Sequence, residues 1–314
     1  MVLAAVWLAR PVAAQTPAAG RHPDFAGIWN SATATPLERP TRFKDKAFFT
    51  PEEAAAWERQ TIAQNQDSPA RAASRGGFGN SYNALFFEVA THVLKTLRTS
   101  IITDPPDGRI PPLTPTAAAL KRRRQELLRH PGGAQDLGLQ DQCLIFPTAV
   151  PPMLPYRYNS NYQIVQTGDA LIVHAEMIHD TRIIPLDGRA HLPPHIRLWL
   201  GDSVGHWEGG TLVVDTANFN DAGGFYGEAG GMYGSDRNLH VVERFSLLDA
   251  DTILYRFGVV DPTAFTQSWK GEFTMLRAAG PLYEYACHEG NYALPNLLNG
   301  FRVSEGTEPG LRPR

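Results

Sequence analysis

The stretch NYQIVQTGDALIVHAEMIHDTRIIP, residues 161–185, decides the fold class. It contains three short runs of apolar and β-branched residues separated by turn residues such as Thr167-Gly168-Asp169. Short alternating runs with Gly- and Asp-containing turns between them are typical of antiparallel hairpins. The stretch therefore predicts the start of a meander in which consecutive strands pair with one another.

The same pattern continues to residue 287. Almost no helix intervenes between the runs, which disfavours a parallel α/β architecture. We predict a mainly β protein whose antiparallel meander closes into a barrel or folds into a sandwich, with a few N-terminal helices. The predicted strands are Tyr162–Gln166, Leu171–Ile178, Arg182–Pro185, Ile196–Leu200, Thr211–Asp215, Leu239–Ser246, Ile253–Val260, Trp269–Leu276 and Tyr283–Cys287.

Two helices are predicted before the meander. Thr50 is a suitable N-cap ahead of Pro51 and two acidic residues, and that helix should run to about Gln60. Residues 116–130 lack Gly and Pro, and Pro131 with the two glycines after it ends the second helix. We divide the chain into a signal peptide at 1–15, an N-terminal segment at 16–160 that packs on the barrel with its helices and first strands, and a barrel core at 161–300.

Composition and the N-terminus bound the class of protein. Hydrophobic residues make up 43% and charged residues 19%, which is typical of a globular chain. A net charge of -3 provides no field for capturing nucleic acid, so no nucleic-acid partner is expected. Residues 1–15 are apolar and close on Val12-Ala13-Ala14, a site that a signal peptidase accepts.

No later apolar run is long enough for a membrane span. We therefore expect a periplasmic or extracellular protein, with a cytosolic protein as the alternative. Two cysteines, Cys143 and Cys287, suit one long-range disulfide in an oxidising compartment; two buried thiols are the alternative. The oligomeric state stays open.

Several motifs resemble those of known families. Gly27-Ile28-Trp29 resembles the entry to the first strand of lipocalin-like barrels. GDSVGHWEGGTLVVDT at 201–216, DPPDGRIPPLT at 104–114 and EYACHEGNY at 284–292 are similar to the signatures of a family of secreted bacterial proteins. The resemblance covers nearly the whole mature chain and implies export and a lipocalin-like β-barrel. It supplies no catalytic roles.

Alternation along the second predicted strand separates a titratable face from an apolar one. His174 and Glu176 share one face, and Leu171, Val173 and Ala175 share the other. If the apolar face packs on a helix or second sheet, His174 and Glu176 look into the barrel. A histidine beside a carboxylate suits general acid–base chemistry. The alternative is a half-exposed polar strand face.

His288 follows Cys287 near the end of the last predicted strand, where a disulfide would hold the backbone rigid. Barrel closure brings early and late strands together. We therefore predict that His174, Glu176 and His288 meet inside the barrel as catalytic residues. A hydrogen-bonded histidine at a strand end is the alternative for His288.

A second group is predicted to bind substrate. Trp207 could stack on a flat ligand while Asp202 or Glu208 supplies a carboxylate; a purely structural turn is the alternative. Arg182, on the continuation of the His174 face, and Tyr285, beside Cys287, complete the predicted substrate-binding set.

These residues favour an enzyme that moves protons on a small apolar or aromatic molecule, as a lyase, hydratase, isomerase or cyclase. A non-catalytic ligand-binding protein with the same cavity and a metal-dependent hydrolase are the alternatives. The histidine spacing matches no zinc pattern such as H-E-x-x-H, so neither a metal nor another cofactor is predicted. Convergence of several titratable groups in one pocket would favour catalysis over carriage.

Overall fold

The computed structural model of the protein describes residues 22–65, 90–156, 159–222 and 237–306, so the predicted signal peptide lies outside the described residues. The strands are β1 Gly27–Asn30, β2 Ile102–Asp104, β3 Asn161–Gln166, β4 Ala170–Ala175, β5 Thr181–Pro185, β6 Asp202–Glu208, β7 Thr211–Ala217, β8 His240–Asp249, β9 Thr252–Val260 and β10 Trp269–Arg277. The helices are α1 Pro51–Asn65, α2 Pro115–Arg129 and α3 Ala293–Ser304.

The strands form a nearly closed antiparallel barrel, which confirms the predicted fold class. Their order is β5-β4-β3-β1-β10-β9-β8-β7-β6, and β2 pairs with β10 outside this row. The two ends of the row, β5 and β6, lie side by side. A Cβ atom on Gly205 of β6 would lie only 2.7 Å from Leu186 Cδ2 and 3.1 Å from Ile184 Cγ2. Glycine at this position lets the β5 side chains close the seam.

Alternation explains why these strands build a closed core. In β9, Tyr255 and Phe257 point inward and are buried, while Arg256 between them is exposed. Tyr255 packs against Phe245 and Phe273, with ring centroids 5.0 and 4.7 Å apart. Each fully buried aromatic side chain stabilises the fold by roughly 1.5–3 kcal/mol. The barrel interior is therefore a packed aromatic core.

Residues 145–154, which form no helix or strand, insert into this core from the N-terminal segment. Ile145 and Met153 are fully buried. The Met153 amide donates to the Tyr255 hydroxyl at 3.2 Å, and the Tyr162 hydroxyl donates to the Thr148 carbonyl at 2.9 Å. Residues 145–154 therefore contribute to the interior of the barrel.

A cluster of polar side chains, which we call the inner network, lies within the apolar core. Arg182 of β5 donates to both carboxylate oxygens of Glu243 of β8, at 2.8 and 2.5 Å, and Tyr255 donates to the same carboxylate at 2.7 Å. Ser203 of β6 and Thr216 of β7 lie 3.1 and 3.4 Å from Arg182 Nη2. All five residues are buried, and together they join five strands across the seam between β5 and β6.

Both predicted N-terminal helices are present, and the first begins after its predicted cap, Thr50. Thr50 and Glu53 cap α1 reciprocally, since the Thr50 amide donates to the Glu53 carboxylate at 2.8 Å and the Glu53 amide to the Thr50 hydroxyl at 3.3 Å. Thr114 caps α2 and accepts from the Ala117 amide. On the outside of the barrel, Arg98 pairs with Glu272 of β10 at 2.7 Å and anchors the N-terminal segment.

Three elements differ from the strand predictions. Residues 202–208 form β6, where a turn-rich element was expected, because two of its three inward positions are the small residues Ser203 and Gly205. Residues 196–200 are irregular and contribute only a single bridge, from Leu198 to Phe219. Residues 283–287 are also irregular, and α3 follows them unpredicted.

Cys143 and Cys287 form the predicted disulfide. It ties the segment before the barrel to the irregular chain after β10, not to a last strand as expected. Cys287 packs with Tyr285 against a small apolar cluster that includes Met177 and Ile178, in the turn between β4 and β5. The disulfide therefore fastens the C-terminal segment to that hairpin.

Removing the disulfide should destabilise the protein strongly. It spans 144 residues, and the chain-entropy model gives roughly 5 kcal/mol for closing so long a loop. We expect Cys143→Ser/Cys287→Ser to lose about that much unfolding free energy in urea titrations without reductant. Wild-type protein titrated with reductant is the control and should fall to the same value. Equal stability of the variant and the oxidised wild type would contradict this expectation.

The loss of one partner from the inner network should also lower the unfolding free energy strongly. We expect Arg182→Met to cost roughly 3–5 kcal/mol, because Glu243 would remain as a buried, uncompensated charge. Arg244→Met is the matched control: its pair with Glu208 is about half exposed and should contribute less than about 1 kcal/mol. Chemical denaturation of both variants measures the difference, and similar losses would disprove a special role for Arg182.

Candidate functional site

A row of histidine and aspartate side chains lies on the outside of the barrel at one end. Antiparallel pairing brings together the start of β6, the end of β7 and the start of β8 at this end. These strand ends supply Asp202, Asp215 and His240, and the connection from β5 to β6 supplies His191 and Arg189. We call Asp202, His191, Asp215 and His240 the His-Asp chain.

The four side chains are linked continuously by hydrogen bonds. His191 Nδ1 lies 2.8 Å from Asp202 Oδ2, and His191 Nε2 lies 2.9 Å from Asp215 Oδ1. His240 Nε2 lies 2.9 Å from each oxygen of the Asp215 carboxylate. The order is therefore Asp202, His191, Asp215, His240, with each imidazole held by a carboxylate.

Asp202 is the anchored end of the chain. Its side chain is buried, and it accepts from Arg189 Nη2 at 2.6 Å and from the Leu192 amide at 2.9 Å. Burial raises its pKa, but the bonds from Arg189, Leu192 and His191 together outweigh burial, so the pKa of Asp202 lies below its ordinary value. Asp202 is a fixed carboxylate.

Asp215 and His240 form the open end. The hydrogen bond with His240, helped by that with His191, lowers the pKa of Asp215 despite its partial burial. The same bond with Asp215 raises the pKa of His240 above the ordinary value, against the opposing effect of burial. An acidic carboxylate paired with a readily protonated imidazole is an arrangement that can hold and deliver a proton.

The inner network supports the His-Asp chain from the other face of the same strands. Ser203 directly follows Asp202, Thr216 directly follows Asp215, and Ser203 and Thr216 are cross-strand partners. Their hydroxyl oxygens lie 2.9 Å apart inside the barrel. Because successive side chains point to opposite faces, fixing Ser203 and Thr216 inside also fixes the two aspartates outside.

The loop that carries His191 is fastened beside the end of β7. Asn218 Nδ2 donates to the Leu192 carbonyl at 2.8 Å, and the backbone of Leu198 pairs with Asn218 and Asn220. Three large apolar side chains of this loop are more than a third exposed. They are Ile196, Leu198 and Trp199. The loop therefore brings exposed apolar surface to the end of β7, where it pairs with residues three and five positions after Asp215.

The structure does not bring the predicted catalytic residues together. Leu171, Val173 and Ala175 face the packed interior, so His174 lies on the outer face, where it bonds Thr181 Oγ1 at 2.8 Å. The expected orientation of this strand is wrong, because the interior is itself the apolar core.

Glu176 and His288 occupy separate places. Glu176 lies beyond the end of β4 and is buried, with the Asn161 side chain and the Tyr283 amide as donors. His288 is exposed in the C-terminal segment. No hydrogen bond or ion pair joins any two of His174, Glu176 and His288, all of which the structure describes.

The predicted substrate-binding residues are likewise dispersed. Trp207 stacks on His22 at a ring-centroid distance of 4.3 Å and lies parallel to Phe25 at 5.8 Å, so its ring already packs against two other rings. Glu208 pairs with Arg244 on the outer face. It lies six residues along β6 from Asp202, about 20 Å at strand spacing.

Arg182 and Tyr285 hold structural positions. Arg182 belongs to the inner network. Tyr285 packs beside Cys287, and its carbonyl accepts from His179 Nδ1 at 3.1 Å. Of the predicted site residues, Asp202 alone belongs to the His-Asp chain.

A second titratable group surrounds the turn between β4 and β5. It contains Glu176, His179 and Asp180, and the C-terminal segment covers it through Tyr283 and Tyr285. Burial raises the pKa of Asp180 to about 6. This group lacks the continuous imidazole–carboxylate linkage of the His-Asp chain.

Sequence reasoning missed the roles of Arg189, His191, Asp215 and His240. One signal was available for the two aspartates. Asp202 and Asp215 flank the turn Glu208-Gly209-Gly210 at nearly equal distances, so recognising a hairpin there would have placed both carboxylates at its open end. Nothing in the spacing of His191 or His240 indicates their contacts.

Within the described ranges, no helix has the length and apolar character needed to cross a membrane. Among the same residues, no three or more His, Cys, Asp or Glu side chains are grouped so as to hold a metal ion. Comparison with known proteins found no matching family model, curated protein or solved structure.

The pairing of His240 with Asp215 can be tested by titration. We expect Asp215→Asn to lower the pKa of His240, because the bond that raises it loses its charged acceptor. Histidine ring resonances followed by NMR against pH give this midpoint. The control is Glu208→Gln, which removes the carboxylate beside His206 at the far end of β6. An unchanged His240 midpoint in Asp215→Asn would contradict the assigned pairing.

Proposed function

We propose that the protein is an enzyme that moves protons on a small apolar or aromatic molecule, in the lyase, hydratase, isomerase or cyclase class, without a cofactor. The observation that carries this proposal is the His-Asp chain, in which two imidazoles and two carboxylates are linked at the barrel surface. Linked groups of this kind supply general acid–base catalysis.

His240 is the reacting residue in this proposal. Its Nε2 is held by Asp215, and no described residue bonds its Nδ1. Its side chain is 41% exposed, so a small molecule can reach it. The hydrogen bond with Asp215 raises the pKa of His240 and so increases the imidazolium fraction at a given pH. In this proposal His240 starts as the proton donor.

The reaction that this donor suits best is the loss of water from an alcohol, or its reverse. The His240 Nδ1 proton passes to the hydroxyl oxygen as the C–O bond breaks and water leaves. The neutral imidazole then takes a proton from the neighbouring carbon, and that C–H electron pair becomes the new C=C bond. His240 ends in its starting state, so no oxidant, reductant or metal is needed.

The surroundings support an apolar or aromatic substrate. Ile196, Leu198 and Trp199 expose apolar surface on the loop that also carries His191. Contact with such side chains would hold the carbon frame of a substrate, while the His-Asp chain addresses its one polar group.

The barrel interior supports an external site over carriage inside the barrel. Tyr255, Phe245 and Phe273 fill the interior, and the segment 145–154 inserts among them. This packing differs from the ligand-enclosing barrel that the sequence predicted. A carrier would therefore have to use the outer surface.

The same proposal includes export of the protein. The disulfide between Cys143 and Cys287 is compatible with an oxidising compartment, where such bonds persist. A periplasmic or extracellular location follows if residues 1–15 act as the signal peptide.

Turnover can be sought by incubating the purified mature protein with a metabolite mixture and following both consumption and binding. We expect His240→Gln to lower turnover of any substrate so found by about 10²-fold, the size of a general acid–base contribution. The rate should also fall as pH rises through the raised pKa of His240, because the donor is lost.

His206→Gln is the matched control, since His206 is an exposed, carboxylate-paired histidine at the other end of β6. It should keep the wild-type rate. Binding without consumption would favour the ligand-binding protein, and loss of turnover on chelation would favour the metal-dependent hydrolase. Either outcome, or wild-type turnover in His240→Gln, would refute the proposal.

A further inference from the structure

We infer that His191 is a fixed imidazolium that positions the site, and that His240 is the one member of the His-Asp chain that exchanges protons with a substrate. The assignment to His191 rests on hydrogen-bond geometry. The assignment to His240 also rests on the proposed function.

The geometry leaves one consistent placement of the protons on His191. Its Nδ1 faces Asp202 Oδ2 at 2.8 Å and its Nε2 faces Asp215 Oδ1 at 2.9 Å. An ionised carboxylate only accepts hydrogen bonds, and a neutral imidazole has a single N–H to donate. Both nitrogens must therefore carry a proton for both bonds to exist. Lowered pKa values keep both aspartates ionised.

The charges around His191 agree with this placement. Two carboxylates, Asp202 and Asp215, face its ring, and Arg189 neutralises the outer side of Asp202. With His191 charged, Arg189 and His191 balance the two carboxylates. The charge of the whole group then depends on His240 alone, neutral when His240 is neutral and +1 when it is protonated.

The hydrogen bonds of the two histidines give them different roles. Both N–H groups of His191 are occupied, so it has no lone pair to accept a proton and no free donor for a substrate. It acts as a positioning residue that holds the Asp215 carboxylate in place. His240, with Nε2 bound to the same carboxylate, keeps Nδ1 for the reaction.

The net charge of this group also limits the class of substrate. A group that is neutral or positive at the reacting end attracts electron-rich oxygen, as in a hydroxyl, carbonyl or carboxylate, and repels cations. Within the proposed function, the substrate is therefore a neutral or anionic molecule with an oxygen beside an apolar frame, not an amine.

The test is the midpoint of the His240 titration in His191→Gln, read from ring resonances of ¹⁵N-labelled full-length mature protein without any substrate. Removing a positive charge that shares the Asp215 oxygen with His240 should raise the His240 midpoint by about half to one pH unit. If His191 were neutral, replacement by the neutral Gln would leave the midpoint unchanged. An unchanged or lowered midpoint overturns the inference.

His206→Gln, four residues along β6 from Asp202 and so about 13 Å from it at strand spacing, should leave the His240 midpoint at its wild-type value, and a shift there of the same size would also overturn the inference. A direct measurement on wild-type protein does not depend on the variant folding correctly. Long-range ¹H–¹⁵N spectra near neutral pH should show protons on both ring nitrogens of His191, and a proton on only one would refute the assignment. These measurements need no turnover, so their failure is separate from the failure of His240→Gln to lose activity.

Discussion

The ion pair of Arg182 with Glu243 is the interaction on which the barrel and its surface site depend. The strand row is open between β5 and β6, where no backbone ladder runs. Arg182 reaches from β5 across this opening to Glu243 on β8 and to Ser203 on β6. Two charges buried in an aromatic core are tolerable only because they are paired and hydrogen-bonded. The pair closes the barrel at a point where peptide hydrogen bonds do not.

Because side chains of β6 and β7 alternate between two faces, the inner network also restrains residues on the outside of the barrel. Ser203 and Thr216 belong to the inner network, and the residues directly before them, Asp202 and Asp215, belong to the His-Asp chain. A strand has two faces and one backbone, so a contact that fixes one face limits the movement of the other. Precise placement of acid–base groups needs such support from behind. The buried salt bridge and the exposed histidines are therefore parts of one arrangement.

Most strands could be predicted because their apolar residues alternate, as in Ile253–Val260. The first helix could be predicted from its cap at Thr50, and the second from a stretch without Gly or Pro. β6 was missed because two of its three inward residues are small; the space at Gly205 is taken by Ile184 of β5 and by Leu186 just after it. The orientation of β4 was wrong for a different reason. Expecting a hollow lipocalin-like barrel placed His174 inside, whereas a filled barrel requires the apolar face there. Alternation gives two faces but does not say which one is the interior.

The site itself was beyond the reach of sequence patterns, because its members come from one loop and three strands and meet only through register. Which end of the site is open, however, follows from the exposure of its side chains. The exposed fraction of the side chains rises along the His-Asp chain, from 3% at Asp202 through 28% at His191 and 35% at Asp215 to 41% at His240. The buried end is fixed by Arg189 and a backbone amide, where neither water nor substrate has ready access. In the proposed reaction, proton exchange therefore belongs at the open end, and the residues behind His240 set its charge and its orientation.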